Sequence, residues 1–199
     1  MPDKYSNFAA LSRDERESYE IRIQDRGSAI VIVAPHAGGI EPGTSETCLG
    51  IACNDLSSYC FEGKKARNNA DLHITSSNFD EPQCLELIRR TALVLTVHGE
   101  RSDGDVVFLG GLHTEALKSL RTTLEANGFV VMEHANPLLQ GHHAKNICNQ
   151  GHLGAGVQLE LSKGLRRSLF QSLSADGRQQ PTPRFEQFCI AIRQGLPAI

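Results

Sequence analysis

The chain has 199 residues, 40% of them apolar, which is enough for one ordinary core and short for two, so residues 1–199 are read as a single domain. Its formal charge of -3 and pI near 6.2 lack the basic surplus that nucleic-acid binders carry, and that class of partner is set aside. No apolar stretch is long enough to cross a bilayer and the opening MPDKYSNFAALSRDERESYE has no apolar signal core, so a cytoplasmic protein without a membrane partner is expected.

Tyr19-Glu-Ile-Arg-Ile-Gln24 alternates apolar and polar side chains, and Asp25-Arg26-Gly27 turns it into the apolar run of residues 28–34, SAIVIVA. This reads as a strand, a tight turn and a second strand, with the first at a sheet edge. Pro35 ends the run and His36, Gly38, Gly39 and Glu41 come directly after it. A hydroxyl cap and an early carboxylate in Pro42-Gly43-Thr44-Ser45-Glu46-Thr47 predict a helix from about Thr44. Residues 71–76 (DLHITS) resemble a short alternating strand, and Asp80-Glu81-Pro82 opens a helix that runs to Arg90.

Residues 91–97 (TALVLTV) form a buried strand that stops on His98 and Gly99, and residues 105–109 (DVVFL) form another, closed by Gly110-Gly111. Residues 114–127 set Leu117, Leu120 and Leu124 on one helical face and end at Asn127-Gly128. Residues 129–133 read as a strand, 134–153 as a polar, turn-rich stretch, and 156–162 (GVQLELS) as a further alternating strand. The last helix, residues 185–194, aligns Phe185, Phe188, Cys189 and Ile192. Strands interleaved with helices at this spacing predict a three-layer α/β/α sandwich around a mixed, largely parallel sheet. Sheets of that kind bind ligands at the carboxyl ends of their strands.

Two histidines, His36 and His98, therefore stand where strands stop, and Glu41 stands beside the first. Zinc enzymes commonly draw three ligands from His, Asp and Glu and keep a further position for water, so these residues are a candidate His2Glu site. On the pair alone, polar loop residues are the plainer explanation. His98 adds weight because an imidazole ending a buried strand must find partners for its nitrogens. Glu160 lies on the strand face opposite Val157, Leu159 and Leu161. It either faces water or, if that face lines the crevice, stands as a general base.

The six cysteines, Cys48, Cys53, Cys60, Cys84, Cys148 and Cys189, make no C-x-x-C pair and are read as reduced small hydrophobes. Cys148, in the polar loop, is the one candidate nucleophile among them.

The blocks APHAGGIEPGTSE (34–46), LHITS (72–76), VHG (97–99), Gly110-Gly111, Asn146-Ile147 and GVQLELS (156–162) resemble, in order, those of the phage poly-γ-glutamate hydrolases. The resemblance spans roughly residues 19 to 167. It implies a zinc carboxypeptidase-like fold and cleavage of γ-glutamyl amide bonds in a glutamate polymer. By motif it makes His36, Glu41 and His98 the ligands of a Zn2+ cofactor and Glu160 the catalytic glutamate. Ala37 departs from the glycine expected after the histidine, which is expected to narrow the room beside the metal.

A polyanionic substrate meeting a mildly acidic protein needs local basic groups. Lys64, Lys65 and Arg67 form one cluster, while Lys163, Arg166 and Arg167 come after the Glu160 strand. Arginine's planar fork suits carboxylates, so Arg166 or Arg167 is the expected substrate contact, with Lys145, Asn146 and Asn68 as further ones. His73, His113, His134, His142, His143 and His152 have no comparable setting. The leading expectation is a monomeric zinc-dependent hydrolase of γ-linked glutamyl amides. The alternatives are a zinc amidohydrolase acting on a small N-acyl amino acid such as N-formylglutamate, and a non-catalytic binding protein of a phage replication complex.

Overall fold

The structure, a computed structural model, describes residues 3–198. Among the described residues the strands are β1 (Tyr19–Gln24), β2 (Ile30–Gly38), β3 (Ser57–Gly63), β4 (Leu93–Gly99), β5 (Val106–Gly111), β6 (Val130–Met132) and β7 (Val157–Leu161). They form one sheet in the order β1-β3-β2-β4-β7-β5-β6. β3, β2, β4 and β7 run parallel, β1 and β5 join them antiparallel, and β6 lies parallel to β5. The helices are α1 (Phe8–Glu15), α2 (Thr44–Ala52), α3 (Pro82–Arg89), α4 (Thr114–Ala126), α5 (Lys163–Leu169), α6 (Ala175–Arg178) and α7 (Pro183–Gly195).

Strand side chains alternate between faces, and each face buries its own core. Ile30, Ile32, Leu93, Leu95, Val97, Leu159 and Leu161 pack with side chains of α2, α4, α5 and α7. Val31, Val33, Val94, Tyr59 and Phe61 pack on the other face with Leu11 of α1 and Cys84, Leu87 and Ile88 of α3. The result is the helix, sheet, helix sandwich expected from the spacing. Burying each of these aliphatic side chains contributes about 1.5–3 kcal/mol.

Several elements differ from the sequence reading. Tyr19–Gln24 is an edge strand, but it pairs antiparallel with β3 rather than forming a hairpin with β2. β3, read as no element, inserts between them: its buried residues on both faces (Ser57, Ser58, Tyr59, Cys60, Phe61) erase the alternation that marks a half-buried strand. Residues 71–76 are not a strand. Asn69–Leu72 is a 3-10 turn, and beyond it the chain runs extended with Leu72 and Ile74 fully buried. The alternation there records burial without a ladder, because the Thr75 N–H donates to Asp3 and the Ile74 carbonyl accepts from His36. α1 and α5 also went unread, and α7 starts at Pro183, whose fixed φ suits the first helical turn.

The feature that builds the site is a bulge in β2. Ala34 pairs with Cys60 and Ala37 with Glu62, so three steps on β2 match two on β3. One extra residue in a strand moves the residues after it to the other face. Ala34 and Ala37 both remain in the core under α2, and His36 turns to the face shared with His98. The Ala37 methyl therefore points away from the histidines, which corrects the expectation that it narrows their surroundings.

Candidate active site

His36 lies two residues before the end of β2 and His98 one residue before the end of β4, and both are buried. Glu41 is brought back to them by a short loop in which the Glu41 N–H donates to the His36 carbonyl at 2.9 Å. That loop requires Gly38: its φ is +66°, and a Cβ there would lie 2.8 Å from the Gly63 carbonyl oxygen. The Gly99 N–H donates to Glu41 Oε2 at 2.8 Å and fixes the carboxylate.

Three donor atoms converge as a result. His36 Nδ1 lies 3.3 Å from Glu41 Oε1 and 3.2 Å from His98 Nδ1, and His98 Nδ1 lies 3.8 Å from Glu41 Oε2. One donor atom from each residue falls within 4.8 Å of the others, the one such His/Cys/Asp/Glu group among the described residues. Ligands at zinc's usual 2.0–2.1 Å in a tetrahedron stand about 3.3 Å apart, so the spacing fits the ion.

The protonation pattern fits it as well. The Ile74 carbonyl, which only accepts, lies 2.8 Å from His36 Nε2, so that nitrogen carries the hydrogen and a neutral ring turns its Nδ1 lone pair toward Glu41. A lone pair facing a carboxylate calls for a cation between them. Burial lowers the affinity of His36 for a proton, but the Glu41 charge outweighs it and the His36 pKa is raised. Burial raises the Glu41 pKa, while His36, His98 and the Gly99 N–H hold it down to about 2. Burial and the charges of His36 and His73 push His98 down to about 3, which leaves it neutral, and its buried Nε2 has no hydrogen-bond partner among the described residues. The carboxylate is anionic and His98 neutral, and the Glu41 charge favours a cation at His36 Nδ1, a proton when the site is empty; a carboxylate with two imidazoles is a donor set suited to zinc.

Glu160 on β7 is the register partner of His98 on β4 and of Phe108 on β5. The face it shares with Gln158 is buried, with Gln158 2% and Glu160 6% exposed, so it is not a solvated surface. Gln158 Nε2 donates to Glu160 Oε1 at 3.0 Å and to the Leu139 carbonyl at 3.0 Å, and Gln158 Oε1 accepts from Asn146 Nδ2 at 2.8 Å. Burial, then the charges of Glu41 and Glu100, raise the Glu160 pKa well above the ordinary carboxylate range, against the opposing pull of Arg166.

The basic candidates divide. Arg166 is buried and donates to the carbonyls of Leu161 at 3.1 Å, Pro42 at 2.7 Å and Glu100 at 2.7 Å, and its charge is felt at both Glu41 and Glu160. A Cβ on Gly99 would stand 2.8 Å from the Arg166 guanidinium carbon and 3.0 Å from Glu41 Cβ, so the missing side chain lets the two approach. Arg167 is exposed and paired with Asp103 at 3.4 Å. Lys145 and Asn68 are exposed. Asn146 is buried, its Oδ1 capping the 3-10 turn Ile147–Gln150 and its Nδ2 engaged by Gln158. The Lys64, Lys65 and Arg67 cluster is partly committed, Lys64 to Glu20 and Lys65 to Glu15 and Asp71.

Cys148 is buried, and burial pushes its thiol up to about 12, which removes it as a nucleophile. Two neighbours of the site went unread. His73 lies with its ring centre 3.9 Å from that of His36, and Gln158 holds Glu160. The alternation in residues 72–76 signalled that the segment is packed, but not what it packs against.

Comparison with known proteins identifies the family and agrees with the fold. The profile of the family described as poly-gamma-glutamate hydrolase matches residues 5–191. The chain is 38% identical over 178 residues to the SPbeta prophage-derived UPF0714 protein YoqZ of Bacillus subtilis (strain 168); the match covers 88% of this chain and 65% of that protein's length. The structure of a bacteriophage poly-gamma-glutamate hydrolase superposes with a TM-score of 0.94 at 30% identity, over 98% of this chain and 96% of that one. The zinc-free apo structure of YndL superposes with a TM-score of 0.92 at 33% identity, over 98% and 97% of the two chains.

Proposed function

The chain belongs to the poly-gamma-glutamate hydrolase family, and on that premise we propose that it is a zinc-dependent hydrolase of γ-glutamyl amide bonds in poly-γ-glutamate. The observation that carries this reading is the convergence of His36, Glu41 and His98 donor atoms, with a buried, high-pKa Glu160 as the register partner of His98 on the adjacent strand. His36, Glu41 and His98 hold the metal. A zinc ion held there supplies Lewis acidity, polarising the scissile carbonyl and making water a better nucleophile at neutral pH.

The protein's own groups do the rest. Glu160 takes a proton from the attacking water and delivers it to the departing amine, a task that favours a carboxyl whose pKa is raised toward neutrality. Gln158 occupies Glu160 Oε1 and leaves the second oxygen for that proton. Arg166 places a fixed positive charge near Glu41 and Glu160, where it can stabilise the negative charge that develops on the carbonyl oxygen. Its guanidinium is already held by backbone carbonyls, so no reorganisation is needed during reaction. Arg167, Lys145 and Asn68 are assigned to the polymer's carboxylates, while Asn146 acts through Gln158. The protein works as a monomeric single domain in this reading.

The test is hydrolysis of γ-linked polyglutamate, read out by product size. Chain shortening that disappears with chelator, returns with zinc and is lost in Glu160→Gln supports the proposal. Intact polymer alongside turnover of N-formylglutamate replaces it with the small-amide reading.

A further inference from the structure

We propose that Asp3 is a positioning residue for the metal ligand His36, acting through residues 73–75; this rests on the zinc reading above. Asp3 Oδ1 accepts from His73 Nδ1 at 2.7 Å, and Asp3 Oδ2 accepts from the Thr75 N–H at 2.6 Å. The carboxylate thus straddles Ile74, whose carbonyl is the acceptor that fixes the His36 ring at 2.8 Å. The His73 ring lies 31° from the plane of His36 and covers its face. One carboxylate therefore sets both the hydrogen-bond acceptor and the stacking neighbour of the same imidazole.

The arrangement has a physical need behind it. Residues 73–75 belong to no strand and have no ladder to place them. Their other tethers are the His73 N–H to the Ala70 carbonyl at 3.2 Å and the Thr75 carbonyl to the Asn78 N–H at 2.7 Å. Both are local; the buried Ile74 side chain seats the segment against the sheet, and the Asp3 carboxylate fixes the groups on either side of it. Asp3 comes from a segment anchored elsewhere, by Lys4 to Glu15 at 3.0 Å and by Tyr5 to Glu15 at 3.2 Å. Groups that orient a metal-binding histidine through its second nitrogen typically change metal affinity or activity by about 10–100-fold when removed.

The experiment is titration of metal-free protein with zinc against a chromophoric chelator, for wild type, Asp3→Ala, Asp3→Asn and Lys4→Ala. Wild type is expected to bind one zinc, and Asp3→Ala to bind it about 10–100-fold more weakly. Asp3→Asn, whose side-chain oxygen can accept only one of the two hydrogens well, falls between. Lys4→Ala, which removes one of the two anchors of the segment but neither Asp3 contact, weakens binding less than Asp3→Ala. The Asp3 variants also shift the visible absorption of the cobalt-loaded protein. Asp3→Ala with unchanged affinity and spectrum overturns the inference, even if its melting temperature falls, because the carboxylate is then a tether alone. A wild type that binds no zinc overturns the metal reading itself and this inference with it.

Discussion

At the end of β2 one extra residue decides which face His36 occupies, and that local geometry carries the chemistry. The proposed ligands were legible in the sequence because His36 and His98 come directly after apolar runs and Glu41 follows within a glycine-containing loop, a setting that needs only local pattern to read. Asp3 and His73 were not, since their contact joins residues far apart along the chain, and nothing local distinguishes a histidine that stacks on a ligand from one in a loop. Glu160 was visible but undecided, because alternation in β7 says which residues share a face and not what covers it. For Glu160→Gln we predict a fall in kcat of about 10²–10⁴-fold with zinc content unchanged, measured by turnover and metal analysis on the same preparation. Loss of zinc together with activity would instead make Glu160 part of the metal-holding set.

Among the elements, the β2–α2 loop and the β4 terminus leave no room for added atoms. Gly99→Ala introduces a Cβ 2.8 Å from the Arg166 guanidinium carbon and 3.0 Å from Glu41 Cβ. Overpacking of this kind costs about 1–3 kcal/mol, and here it also displaces Glu41, a proposed ligand. The expected result is a lower urea midpoint together with weaker zinc binding; an unchanged affinity would place the Glu41 carboxylate elsewhere. The longer elements with one buried stripe, such as α4 and α7, were read near their observed bounds. β3 was missed because it is covered on both faces, and the 71–76 strand was wrongly expected because its backbone groups bond side chains instead of a neighbouring strand. Period alone does not distinguish those cases.

Across the whole molecule, two cores on opposite faces of one sheet hold the strand ends in register, and the N-terminal helix is pinned by a charge network. The Glu15 carboxyl is held down to about 2, first by the Ser18 hydroxyl and by Lys4, then by Lys65. Its folded pKa lies below the ordinary 4.5, so its stabilising contribution is complete above that value and is lost as pH falls toward 2. Wild type is therefore expected to lead Glu15→Gln in unfolding midpoint at neutral pH, with the difference closing over that acidic window. A constant difference would show that the carboxylate charge is not what pins the helix.

Substrate capture also belongs to this scale, since a chain of formal charge -3 draws a polyanion only through local basic groups. Added salt is expected to raise KM on γ-linked polyglutamate more than it lowers kcat, as surface charges are screened more than buried ones. Equal effects on both would place the salt-sensitive charges in the chemical step.

The most direct measurement of the central claim is metal analysis of purified wild-type protein and His36→Ala, prepared identically. The account predicts stoichiometric zinc in wild type and its loss in the variant with the fold retained. Wild type without zinc, or a variant that keeps it, would contradict the metal site on which the proposed hydrolysis rests.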